Sequence, residues 1–149
     1  HLDDRLPEGY RFGEGTSEMK AIGHGHAFGY IERKEVVENA IKGLEVMKSM
    51  SDYEPVLDIN VLDEHNEIVA FATMWYDDIN KIGVLEPVGT HPEHRKRGLA
   101  KRAIYRCCNL IRERGATAVY VGSEQEFYKK IGFSPISTDN VYKKSIKCN

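Results

Sequence analysis

Apolar residues recur along this chain in several rhythms, and each rhythm predicts an element. Val36, Val37, Ala40, Ile41, Leu44 and Met47 fall at helical spacing among charged residues, which predicts an amphipathic helix over roughly Glu32 to Met50. Leu57, Ile59 and Val61 alternate with Asp58 and Asn60, as in a half-buried strand. Ile68 to Tyr76 is almost unbroken apolar sequence, the pattern of a central strand covered on both faces. Ile82 to Thr90 is the next strand, and Pro87 lies inside it. Proline cannot donate to a ladder, so this strand is predicted to carry an edge or a bulge, with main-chain groups near Val88 and Thr90 left unpaired.

Leu99, Ala103, Cys107, Leu110 and Ile111 then share one face of a helix that follows Gly98 and stops at Gly115. A short buried strand at Ala118 to Val121, a short helix at Glu124 to Ile131 stopped by Gly132, and a strand pair within Phe133 to Ile146 complete the pattern. Before the first long helix the signals are Tyr10 to Phe12 as a short strand and Ser17 to Ile22 as a brief helix. Gly23 to Gly29, rich in glycine and histidine, reads as a loop. Antiparallel strands followed by alternating strands and helices predict a mixed α/β (α+β) fold, with a mostly antiparallel central sheet flanked by helices.

With 149 residues, 41% hydrophobic and 30% charged, the chain reads as one globular domain over 1–149. No apolar run reaches the length of a membrane span. Three cysteines, an odd number, with Cys107 and Cys108 adjacent inside a helical pattern, favour a reducing, cytoplasmic setting. The chain starts at His1, which fits a fragment of a longer protein, a processed product or a tag remnant. The net charge of −2 argues against a general polyanion binder and leaves the local basic cluster at Arg95 to Arg97 for a small anionic ligand.

That cluster sits in Thr90 to Ala100, Thr-His-Pro-Glu-His-Arg-Lys-Arg-Gly-Leu-Ala, between a strand and a helix. The first amide N–H groups of a helix have no partner within it, and its dipole places partial positive charge there. Gly98 lets the backbone approach a ligand closely, and small Ala100 leaves room for it.

The order strand, Arg95-Lys96-Arg97-Gly98-Leu99-Ala100, amphipathic helix, strand, Phe127-Tyr128-Lys129-Lys130-Ile131-Gly132-Phe133 resembles the GNAT superfamily of N-acetyltransferases. The first motif fits the family's pyrophosphate pattern Arg/Gln-x-x-Gly-x-Gly/Ala, and the second its Leu/Phe-Tyr-x-x-x-Gly-Phe. The likeness covers about Ile68 to Phe133. It implies a fold with splayed central strands and acetyl-CoA, or another acyl-CoA, as co-substrate. It implies that backbone groups of Val88, Gly89 and Thr90 hold the pantetheine arm, that Arg95, Lys96, Arg97, Gly98, Leu99 and Ala100 cradle the pyrophosphate, and that Tyr128 protonates the departing thiolate. Many relatives carry an Asn after the penultimate strand; here the stretch is Gly122-Ser123-Glu124, and Ser123 is the substitute.

The implied activity is transfer of an acetyl group from acetyl-CoA to a primary amine. Glu86, beside the bulge, is the first choice of general base and His91 the second. A bulge N–H such as that of Val88 is placed to bond the thioester oxygen. The acceptor pocket is expected from the loops after Phe12, around His24 to Tyr30 and around Asp77 to Lys81. Asp77, Asp78, Glu32 and Glu35 would favour a cationic amine. His24 and His26 form a His-x-His pair without the further ligands a metal needs. Cys107, Trp75 and Tyr76 read as packing residues. Two other functions fit less of the sequence: a catalytically inactive CoA-binding or partner-docking module, and a nucleic-acid binder using the basic helix from Arg95 to Arg106.

Overall fold

A computed structural model of the chain describes residues 1–137. Those residues form a five-stranded sheet in the order β1-β2-β3-β4-β5. The strands are β1 (Arg11–Gly13), β2 (Asp58–Leu62), β3 (Ile68–Asp77), β4 (Ile82–Thr90) and β5 (Ala118–Tyr120). The first three pairings are antiparallel, and β5 joins β4 in parallel. The helices are α1 (Ser17–Phe28), α2 (Lys34–Lys48), α3 (Leu99–Glu113) and α4 (Glu126–Lys130). The final strand pair expected over Phe133 to Ile146 lies mostly outside the described residues, and 133–137 belong to no regular element.

The continuous apolar run of β3 explains the layering. Phe71 packs beneath α1 with Ala27 and Met19, whereas Ala70, Ala72 and Met74 join Leu99, Ala103, Ile104, Cys107 and Ile111 of α3 in the main core. Successive strand residues point to opposite faces, so α1 and α3 lie on opposite sides of the sheet. Cys107 is a core residue, as its apolar face predicts, and burial raises its thiol pKa far above the ordinary value. The two helices of the C-terminal half end alike. Gly115 and Gly132 take positive φ, and the next residues bond back: Ala116 N–H to Ile111 O and Phe133 N–H to Tyr128 O.

Three expectations are corrected. Ser17 to Ile22 is not a brief helix followed by a loop. It opens α1, which runs to Phe28, started by the Thr16 hydroxyl accepting from Met19 N–H and closed by left-handed Gly29. Gly23 and Gly25 are there for close packing. A Cβ on Gly23 would lie 2.8 Å from Ile68 O, and one on Gly25 3.1 Å from Ile31 Cδ1. Nor is β2 polar on a wet face. Asp58 and Asn60 are buried under α1, where Asp58 pairs with Lys20 and accepts from Tyr53 Oη (2.5 Å) and Thr73 Oγ1 (2.9 Å). Alternation reported two faces correctly, but Asp58 on the polar face meets the Lys20 counter-charge and two hydroxyls instead of water. Finally β5 is not buried; Ala118 and Val119 are half-buried and Tyr120 is exposed.

His24 illustrates what burial does to a titratable ring. It lies against Phe71, ring centroids 4.0 Å apart, and burial together with the Lys20 charge pulls its pKa down to about 4. The unfolded chain therefore takes up a proton on this ring near its ordinary value of about 6.5 while the folded chain does not. Stability is full above that value and falls as pH drops toward 4, by roughly 3 kcal/mol for a shift of this size. His24→Leu should flatten that fall, measured by urea unfolding at pH 7 and pH 4.5; an unchanged pH slope would show that His24 does not contribute it.

Candidate active site

The pairing of β4 with its two neighbours sets the site. Against β3, Val88 faces Ala72 and Leu85 faces Met74, so Glu86 and Pro87 together oppose the single residue Thr73. This is the bulge Pro87 predicts. Against β5, pairing runs only from Ile82–Ala118 to Val84–Tyr120. From Leu85 to Thr90 the free edge of β4 faces no strand among the described residues, and a cleft fills the opening. Its larger part, about 680 Å³, reaches from Val88, Gly89 and Thr90 to Gly98, Leu99, Ala100 and Tyr128. A narrower recess of about 210 Å³ continues past Leu85, Glu86 and Pro87 to Ser123. Gly89 is packed tightly from behind, since a Cβ there would lie 2.4 Å from Phe71 Cζ and 2.9 Å from Ala27 Cβ.

At the wide end, the turn into α3 passes through two left-handed residues, Lys96 (φ 63°) and Gly98 (φ 76°). Gly98 is the N-cap and no side chain caps the helix. Among the described residues, no acceptor meets the amide N–H groups of Lys96 through Lys101. A row of unpartnered amides at the positive end of a helix is suited to an anion. Leu99 and Ala100 offer the cleft their amides, the Leu99 side chain being in the core.

The three basic residues of the turn part company. Lys96 lines the cleft with no ion-pair partner among the described residues. Arg95 also lines it, but its Nε donates to Thr90 O (3.2 Å) and its Nη2 to Ala27 O (3.2 Å), tying β4, α1 and the turn together. Arg97 does not line the cleft. Its Nη1 donates to Tyr10 Oη at 2.8 Å. Sequence treated the three as equivalent because nothing in a run of cations says which way each points. Lys101, on the first turn of α3, lines the cleft and was missed, although helical spacing puts it on the same mouth.

Tyr128 lines both parts of the cleft and is 8% exposed, held edge-on between Phe127 and Phe133. Burial raises its pKa above the ordinary phenol value, so it carries its proton at neutral pH. Its hydroxyl has no hydrogen-bond partner among the described residues. Glu86 lies in the narrow recess, exposed, with no partner for its carboxylate among the described residues; its carbonyl accepts from Trp75 Nε1 at 2.8 Å. Ser123 lines the same recess and its hydroxyl accepts from Gln125 N–H.

The structure does not bring His91 to the bulge. It follows β4 at the opposite end, where its Nδ1 accepts from Glu93 N–H and its ring lies 4.4 Å from that of His26 and 5.3 Å from that of His94. His24 and His26 lie on α1 and not on a loop, and no group of three or more His, Cys, Asp or Glu able to hold a metal occurs among the described residues. Asp77 and Asp78 are already engaged: Asp77 accepts from Ile79 and Asn80 N–H, and Asp78 pairs with Lys81. No helix of the described residues is long and apolar enough to cross a membrane.

Comparison with known proteins follows the same lines. The family model described as the acetyltransferase (GNAT) family matches residues 25–133. Among curated proteins, none matches the sequence significantly. Similar solved structures include an acetyltransferase of Trypanosoma brucei, 19% identical with a TM-score of 0.66 over 90% of this chain and 97% of that one. Glucosamine-6-phosphate N-acetyltransferase of Arabidopsis thaliana is 18% identical with a TM-score of 0.67, covering 91% and 99% of the two chains. A GNAT family acetyltransferase of Staphylococcus aureus is 17% identical with a TM-score of 0.63, covering 92% and 97%. At these identities the structures establish a shared fold. Joined to the family match across the cleft-forming elements, they show that the chain belongs to the GNAT acetyltransferase family.

Proposed function

We propose that this protein transfers an acetyl group from acetyl-CoA to a primary amine. The observation that carries the reading is the pair of adjoining cavities, sharing Val88 and Tyr128, that run from an unpartnered row of helix-start amides to the Tyr128 hydroxyl and the Glu86 carboxylate. The amides of Lys96 to Lys101, with the Lys96 and Lys101 ammonium groups, take the diphosphate. The free edge of β4 at Val88, Gly89 and Thr90 bonds the amides of the pantetheine arm, as an added strand would be bonded. The thioester then reaches the bulge, with Ser123 across the recess.

The chemistry asks little covalent participation of the protein. The neutral amine nitrogen attacks the thioester carbonyl carbon, the C–S bond breaks, and the thiolate takes the Tyr128 proton, which water replaces. Glu86 takes the proton the amine loses, directly or through water. Raised pKa and half-apolar surroundings keep Tyr128 protonated until a thiolate develops beside it. With Asp77 and Asp78 engaged in their own turn, Glu86 is the carboxylate in the recess that faces an incoming amine. A groove-binding role for α3 is disfavoured, because Arg102 and Arg106 are held by Arg5 O and Asp4.

The direct test is release of free thiol from acetyl-CoA in the presence of a panel of primary amines. Amine-dependent release is expected; tight CoA binding with no release for any amine would favour an inactive module. Gly98→Val forces a branched residue into a left-handed backbone; as the turn relaxes out of its binding shape to relieve about 1–2 kcal/mol of strain, CoA affinity should fall about tenfold, with a melting temperature lowered by no more than several degrees. Unaltered calorimetric affinity would remove the turn from the site. Tyr128→Phe should reduce kcat by about a hundredfold, the scale of general acid catalysis, while sparing CoA affinity. Full turnover in that variant would end the acid role.

A further inference from the structure

The turn into α3 holds Lys96 in the left-handed region, which side chains with a Cβ disfavour, so something outside the turn has to keep that conformation populated. Tyr10, on the segment just before β1, spans it. Its hydroxyl lies 3.0 Å from Nδ1 of His94 and 2.8 Å from Nη1 of Arg97, the residues on the two flanks of Arg95 and Lys96. Arg97 can only donate, so the hydroxyl accepts from it, and the direction of the bond to His94 Nδ1 follows the tautomer of that ring. Ring contacts add to the bridge: the Tyr10 and His94 rings meet edge-on at 5.8 Å, and the Arg97 guanidinium lies 6.0 Å from the Tyr10 ring centre.

The same segment touches the turn a second time. Arg102 Nε donates to Arg5 O at 3.1 Å, and its Nη1 stands 3.1 Å from where a Cβ of Gly98 would be. The segment is itself fastened to α3 by buried Asn109, which accepts from Leu2 N–H (3.0 Å) and donates to Leu2 O (2.9 Å). Two arginines beside an anion site are thus held on the side away from the cleft by groups of the N-terminal segment.

The geometry points to Tyr10 as a positioning residue for acyl-CoA: it staples the diphosphate turn in its binding shape before the ligand arrives. This rests on the reading of the turn under Proposed function. The gain is pre-organisation, since a turn already shaped loses less freedom on binding. Tyr10 does not line the cleft and touches no reacting atom. Nothing in the family motif marks it, because it lies far from the turn in sequence.

The test measures CoA affinity by calorimetry for the wild type, Tyr10→Phe, Arg97→Met and the double variant, with melting temperatures alongside. Using an amine found by the panel, it also measures KM for acetyl-CoA, KM for the amine and kcat. Tyr10→Phe should weaken CoA binding and raise the acetyl-CoA KM by about tenfold, the scale of one hydrogen bond to a charged group, with kcat and the amine KM within about twofold. Arg97→Met should do the same, and the double variant no more than either single one, because both break one bridge. Unchanged affinity in Tyr10→Phe overturns the proposal, as does a parallel rise in both KM values with a lowered melting temperature. A much larger loss in Arg97→Met than in Tyr10→Phe would mean that Arg97 touches the ligand itself, and overturns it too. If the wild type binds no CoA, the reading of the turn fails first and this proposal with it.

Discussion

Pro87 has no amide hydrogen for either neighbouring strand, and the bulge it forms with Glu86 sets two residues of β4 against Thr73 alone. A bulge bends its strand and adds twist. On the other side, β4 and β5 are zipped over Ile82 to Val84 and separate just before the bulge. An unbroken parallel ladder here would leave no edge of β4 exposed and no passage between the strands. The opening supplies hydrogen-bonding main chain in the interior of a sheet, where such groups are normally all paired. The remaining parts of the site are placed by reference to it: the turn into α3 at its wide end, Glu86 at its narrow end, and Tyr128 across it.

The flanking layers hold that opening in register. Phe71 and Ala27 back Gly89 from the α1 side, while Leu85 packs into the core beneath α3 on the other. Arg95 links the pieces by bonding carbonyls at the ends of β4 and α1. On the same face, Lys20 and Asp58 pair under α1 with Tyr53 and Thr73. Thr73 is the residue that faces the bulge, so this buried network ends directly behind it. Breaking a buried pair leaves an uncompensated charge, which costs about 3–5 kcal/mol. The network is thus a specific constraint on how α1 sits over the splayed strands, in addition to apolar packing.

Much of this was legible in sequence, for reasons that differ by element. The long runs were read correctly because burial on both faces of β3 and on one face of α3 writes a strong pattern. Pro87 announced the bulge, since only a few backbone settings admit a proline in a strand. Gly98 marked the turn into α3, because strand, turn and helix come in the right order. What failed were residues whose type has two physical uses. Gly23 and Gly25 read as flexible and are instead small, which matters only once Ile68 and Ile31 are known to lie against them. Asp58 and Asn60 read as solvated and are instead buried, Asp58 against Lys20, which is distant in sequence, and Asn60 against the Asp58 carbonyl. Arg95 and Arg97 read as ligands for an anion, yet their guanidiniums are occupied by Ala27, Thr90 and Tyr10. Side-chain direction carries no one-dimensional signature.

That last failure bears on how a chain of net charge −2 would recognise the proposed diphosphate. With two of the turn's three cations turned to neighbouring groups, recognition would fall on amide N–H groups and on Lys96 and Lys101 at the rim. Amides fixed at a helix start are aimed dipoles that need not be ordered on binding, whereas long cationic side chains lose rotamer freedom when they close on a ligand. Exposed cations are also screened within about 8–10 Å at ordinary ionic strength, while amides lining a cleft act at contact. On that reading the arginines would contribute most by shaping the loop that presents the amides. If the turn takes a diphosphate as proposed, a site built this way would select its geometry over bulk negative charge.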